Sequence, residues 1–175
     1  MYNLDISKYT QKSHEAIIKA QSIAVGRHHQ EVTSRHLLYS LLIQKEGIIE
    51  DIVQKSGTNI NLVKSFAEEI IQHIPSVHGH DGSLTIDPGL TRVLIRAEKE
   101  AENMKDKYIS VEHLLLALLD EGDWEVKSVF KKAGLDKDIL LIALKEIRGN
   151  QQVTTDNPEA TYNVLEKYGR DLTRL

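Results

Sequence analysis

Residues 14–70 of this 175-residue chain recur as residues 91–147 at a constant offset of 77, with no gap over 57 positions. Twelve positions are identical in that register, among them Ala20/Ala97, Ala24/Ala101, Gly57/Gly134 and Ile70/Ile147. The block His-Leu-Leu-x-x-Leu-Leu returns whole, at His36–Leu42 and His113–Leu119. The offset exceeds the roughly 20–50-residue period of solenoid repeats. Two like units packed as a pseudo-dimer satisfy it.

Each unit reads as four helices. Ala16, Ile17, Ala20, Ile23 and Ala24 line one face of a first helix, capped by Thr10 and stopped by Gly26. Val93, Leu94, Ala97 and Ala101 repeat that stripe behind Asp87-Pro88, a cap with a first-turn proline. The leucine blocks make wide apolar faces, so the second helices belong at the buried centre of their units, with Thr33 and Ser110 as N-caps. Third helices are predicted over Ile48–Ser56 and Glu125–Ala133, ending at Gly57 and Gly134, where a left-handed residue closes a helix without steric cost. Fourth helices follow over Ile60–Ile74 and Lys137–Ile147. The fold class is therefore all-α: two pseudo-symmetric four-helix repeats, residues 10–74 and 87–148, in one domain spanning residues 1–148.

Pro75–Ser83 is polar and breaker-rich, a linker between the repeats. Gly149–Pro158 is a second flexible stretch, and a last helix starts near Pro158 and carries Tyr162, Leu165 and Tyr168. The chain stops at Leu175 inside that helical pattern, which reads as a piece cut from a longer protein.

Composition narrows the function. A formal charge of −4 gives no basic field for phosphate backbones, and 5% aromatic residues leave few stacking platforms, so nucleic acid is not an expected partner. There is no cysteine and no apolar run near the ~20 residues of a membrane span. The N-terminus lacks a secretory signal, and the chain reads as cytoplasmic. The phosphate-loop pattern G-x-x-x-x-G-K-[S/T] is absent, no nucleophile–base set emerges, and the chain reads as a non-enzyme. His28-His29 and His78-x-His80 fall in turns without zinc-ligand spacing and read as solvated.

The doubled H-L-L-x-x-L-L, the segment Ile109–Leu115 and the tail Asn157-Pro158-Glu159 with Leu165–Thr173 together resemble the Clp N-terminal repeat domain of AAA+ unfoldases, in its ClpB-type, protein-disaggregating form. The resemblance covers about Ser7–Ile147, and it makes residues 149–175 the linker towards an ATPase domain not contained in this chain. It implies a domain that binds unfolded or aggregated proteins and passes them to a hexameric ATPase ring, with ATP and magnesium used by the parent chain and no cofactor here. It also implies substrate contacts at Thr10, Asp106, Tyr108, Glu112 and His113. The family often carries leucine where this chain has Glu100 and His113.

Thr10, Glu112 and Asp106, and His36 in the first repeat, each have a plainer local reading. Thr10 caps a helix, Glu112 suits a helix dipole, Asp106 is a solvated charge between Lys105 and Lys107, and His36 is a locally hydrogen-bonded histidine. The alternative function is adaptor or phosphoarginine docking, as in ClpA- and ClpC-type relatives. The ClpC type holds phosphoarginine with a glutamate before the histidine in both repeats. Here the first repeat has Arg35 at that position, a cation that repels the guanidinium.

Overall fold

The computed structural model describes residues 4–79, 83–149 and 151–158, and within them the chain forms eight α-helices in two sets of four. The first set is α1 (Gln11–Gly26), α2 (Ser34–Ile43), α3 (Ile48–Lys55) and α4 (Ile60–Gln72). The second is α5 (Pro88–Asn103), α6 (Val111–Glu121), α7 (Trp124–Ala133) and α8 (Lys137–Arg148). Adding 77 to the bounds of α1 gives those of α5, and the starts of α2 and α4 map the same way onto α6 and α8.

The caps explain the boundaries. Thr10 accepts the Ser13 amide at the head of α1, and Asp87 accepts the Gly89 amide ahead of Pro88. Asp123 and Asp136 accept the amides of Val126 and Ile139 at the heads of α7 and α8. Gly57 and Gly134 sit at φ 85° and 72°, the left-handed geometry expected after α3 and α7. The stop assigned to Gly26 is corrected: Gly26 is still helical, and the left-handed residue behind α1 is His28 at φ 60°.

Leu37, Leu38 and Leu41 of α2 and Leu114, Leu115 and Leu118 of α6 are among the largest fully buried side chains. The two leucine helices pack against each other at the centre. Around them the repeats interlock: α3 lies on α8 and α4 on α7, a pair of contacts related by the offset. Two short parallel pairings obey the same symmetry. β1 (Glu31–Val32) pairs with β2 (Thr85–Ile86), and Tyr9 bridges Ile109. Residues 9 and 86, and 32 and 109, are equivalent positions, so each repeat lends one extended residue to the other. The segment after α4 is tied down, with the Val77 amide on the His28 carbonyl and the Ser76 hydroxyl on that of Arg27. The helix expected from Pro158 onwards, with Tyr162, Leu165 and Tyr168, lies outside the described residues.

Candidate functional site

The loop between α5 and α6 and the first turn of α6 carry four of the five residues singled out in the sequence. Ser110 caps α6, and its backbone N–H donates to His113 Nδ1 at 2.8 Å. That leaves Nε2 to donate, and it does so to Asp106 Oδ2 at 2.7 Å. Arg148, at the end of α8, completes the node with a two-pronged contact, Nη1 to Oδ2 at 2.9 Å and Nη2 to Oδ1 at 2.6 Å. The Val153 amide adds a further donor to Oδ1 at 2.9 Å. The Asp106 side chain is wholly buried, so the solvated-charge reading is corrected. Burial pushes its carboxyl towards the neutral form, but the donors from His113, Arg148 and Val153 outweigh it and hold the pKa at about 2.

Glu112 stands beside this node. Its side chain is 1% exposed, and Arg148 Nη1 lies 3.8 Å from Oε2. Among the described residues neither carboxylate oxygen receives a hydrogen bond. A buried acceptor without a hydrogen-bond donor is costly, and the Arg148 cation at 3.8 Å is the charge that offsets it here. Thr10 reaches the same loop through the backbone: its amide and the Ser13 hydroxyl both donate to the Ile109 carbonyl, at 2.9 and 2.7 Å. Thr10 itself is fully buried, as is His113, and Tyr108 is half-buried against the core. The five residues therefore converge on one loop, where four of them face inward and fix its shape.

Repeat one builds the same frame with a different partner. The Thr33 amide donates to His36 Nδ1 at 3.0 Å, and His36 Nε2 meets His29 Nδ1 at 2.8 Å. Position 29 is the equivalent of position 106, so a histidine replaces the aspartate. His29 is buried, which corrects its reading as a solvated loop residue; His28 and His78 remain exposed, with ring centroids 4.7 Å apart. Burial first, and then the positive fields of His29, Arg27 and Arg35, push the His36 pKa down to about 4. Arg35, equivalent to Glu112, is paired with Asp123 at 3.1 Å and with the Ile70 carbonyl at 3.2 Å.

Beside the Asp106 node opens a shallow groove of about 420 Å³. Met104, Leu141 and Leu144 supply its apolar lining, and Lys145, Arg148, Gln151 and Gln152 its polar rim. The sequence reading missed these residues. A signal was present, because Ile139–Leu144 is a run of six apolar residues and one buried stripe of a helix needs fewer. Ile142 is accordingly 63% exposed. Glu100 lies elsewhere on α5, closing a ring of charge with Arg96, Lys137 and Asp120 through contacts of 2.7 to 3.3 Å. Among the described residues no group of three or more His, Cys, Asp or Glu side chains could hold a metal, and no helix is long and apolar enough to cross a membrane.

Residues 8–133 match the Clp repeat (R) N-terminal domain family. The chain is 49% identical over 173 residues to the chaperone protein ClpB of Bacillus cereus, covering 97% of this chain and 20% of that protein. It is 38% identical over 173 residues to ClpB of Clostridium tetani, with the same coverage. The chain thus spans about a fifth of the length of these curated relatives. Among solved structures, the Hsp104 N-terminal domain of Candida albicans superposes with a TM-score of 0.78 at 22% identity, covering 87% of this chain and 99% of that one. A ClpV N-domain in complex with a VipB peptide superposes with a TM-score of 0.66 at 20% identity, covering 86% and 96%. The duplicated fold, the family match and the full-length similarity agree: this chain belongs to the Clp N-terminal repeat family, in the form carried by the ClpB chaperones.

Proposed function

We propose that this domain catches exposed apolar segments of unfolded or aggregated proteins and presents them to the ATPase ring of a ClpB-type parent. The observation that carries the proposal is the open apolar groove of Met104, Leu141 and Leu144, set against a loop that Asp106, Arg148 and His113 hold rigid. A shallow groove with a polar rim suits weak, repeated capture, because much of a bound segment stays in water. Modest affinity suits a domain that must give its cargo up. Thr10, Asp106, Glu112 and His113 serve this role by fixing the loop, and Tyr108 by packing that loop against the core. The parent would work as a hexameric ring using ATP and magnesium, in the cytoplasm.

The test is an NMR titration of the isotopically labelled chain with a soluble, permanently unfolded polypeptide. Shifts are expected at Met104, Leu141 and Leu144. If those resonances stay still at millimolar probe while others move, capture occurs elsewhere. Docking of a cationic or phosphoarginine ligand is the second reading, favoured by the donor-free carboxylate of Glu112. Arg148 already stands over that carboxylate, and Arg35 holds the equivalent place in repeat one. Free phosphoarginine in the same titration is therefore expected to leave Glu112 unmoved.

A further inference from the structure

The segment that follows α8 is laid back across the domain. The Lys107 amide donates to the Val153 carbonyl at 2.7 Å while the Val153 amide donates to Asp106 Oδ1 at 2.9 Å. One extended residue thus uses both its backbone groups on the α5–α6 loop, as an added strand does on a sheet edge. Three residues on, the Asp156 carbonyl accepts the amide of Gln11 at 2.8 Å, an orphan donor in the first turn of α1. Val153 is fully buried, whereas residues 151, 152 and 154–157 are exposed. The strap is a polar peptide held by one aliphatic anchor and a few backbone bonds, and Gln151 and Gln152 form part of the groove rim.

From this geometry we infer that residues 151–156 are a tethered occupant of the α5–α6 loop edge that borders the capture groove, displaced when an extended client segment takes the same backbone bonds. This rests on capture at the neighbouring groove. The strap's contacts are particular to its own sequence at two points only, the small aliphatic side chain at the anchor and the exposed Asp156 carboxylate, which accepts from Gln11 Nε2 at 3.4 Å. Any extended segment offering a valine-like residue can donate to Asp106 and accept from Lys107 in the same way. Displacement also frees chain, and six residues add up to about 20 Å of reach when extended. Client binding and linker release are then two ends of one equilibrium, so each favours the other.

Gln11→Pro tests the coupling with least damage. Position 11 is the first residue of α1, where proline is tolerated, and Thr10 before it already has φ −67° and ψ 163°, which suits a residue preceding proline. The change deletes the amide that holds Asp156. Val153→Asp is a second release variant and Val153→Ile the conservative control. Backbone amide exchange at Lys107 reports strap release, and exchange at Leu38 and Leu115 reports the core. The probe is reduced, carboxymethylated α-lactalbumin.

The expected result is faster exchange at Lys107 in both release variants with the core amides unchanged, and probe affinity raised fivefold or more, roughly the range of such couplings. Saturating the unmodified chain with probe should likewise unprotect the Gln11 amide, and Val153→Ile should behave as the parent sequence. Release of the strap with no gain in affinity would overturn the inference and leave capture standing. Failure of the probe to bind any of the chains would overturn both. A Lys107 amide that stays protected in both release variants would show that the strap is not held as described, and the inference would fall.

Discussion

His36 accepts the Thr33 amide at Nδ1, which assigns the ring proton to Nε2 and directs it at His29 Nδ1. A second proton on His36 would sit on Nδ1 and displace the Thr33 amide, and one on His29 Nδ1 would oppose the His36 Nε2 proton, in a pocket that also faces Arg27 and Arg35. His29 is pushed down by burial and by Arg27, with a backbone hydrogen bond to Ile74 acting in the opposite sense. The sign follows. The unfolded chain protonates His36 near its ordinary pKa of 6.5 and the folded chain near 4. Stability is therefore complete above pH 6.5 and falls as the pH drops towards 4, by on the order of 3 kcal/mol. Asp106, held at about 2, loses stability in the same direction in a lower window, between 3.8 and 2. We predict that His36→Gln, which can still reach back to the Thr33 amide as a capping-box residue does, removes most of the loss between pH 7 and 4.5 while keeping the lower window. Urea midpoints at those two pH values decide it; an unchanged loss in the variant assigns the effect to other groups. The burial of His29 was hidden in the sequence because a histidine in a turn beside Gly26 has every local reason to be solvated. The clue was non-local: positions 29 and 106 share a register, and a buried partner for one implies a buried partner for the other.

At the scale of elements, the duplication carried most of the fold. Apolar stripes and caps were found twice, and three of the four helix starts recur at the same offset because both copies bury leucine helices against each other. The glycines give a test of this equivalence. Gly57 and Gly134 both have positive φ, and a Cβ added at either would meet nothing within 4 Å. Alanine at each therefore costs only the left-handed backbone, about 1 kcal/mol apiece. Unequal losses in chemical denaturation would show that the copies differ at these turns. The two-residue pairings and the strap escaped the sequence for a physical reason. They are too short to carry a period, and their hydrogen bonds join segments brought together only after the helices dock. Arg148 escaped likewise. A cation in the last turn of a helix is expected for the dipole alone, and its bond to Asp106 spans 42 residues.

On the scale of the whole molecule, the repeats are not two beads. Each helix pair that closes one repeat borrows a surface from the other: α3 rests on α8, α4 on α7, and α2 and α6 share the centre. Residues of both repeats form a single core cluster. A repeat unfolding alone would expose the leucines of its neighbour, so neither should be stable without the other. We predict one cooperative transition, with Leu37→Ala and Leu114→Ala each lowering it by roughly 2–5 kcal/mol. Tryptophan fluorescence at Trp124 in repeat two and exchange at repeat-one amides should report the same midpoint in both variants. Separate midpoints would mean that the repeats fold as independent units. The distinction bears on capture. The groove is walled by the α5 end, α8 and the strap, and α8 leans on α3 of the other repeat. Only if the two repeats stand or fall together is the groove held rigid by the whole body, so that a client's pull can shift the strap without loosening the loop beneath it.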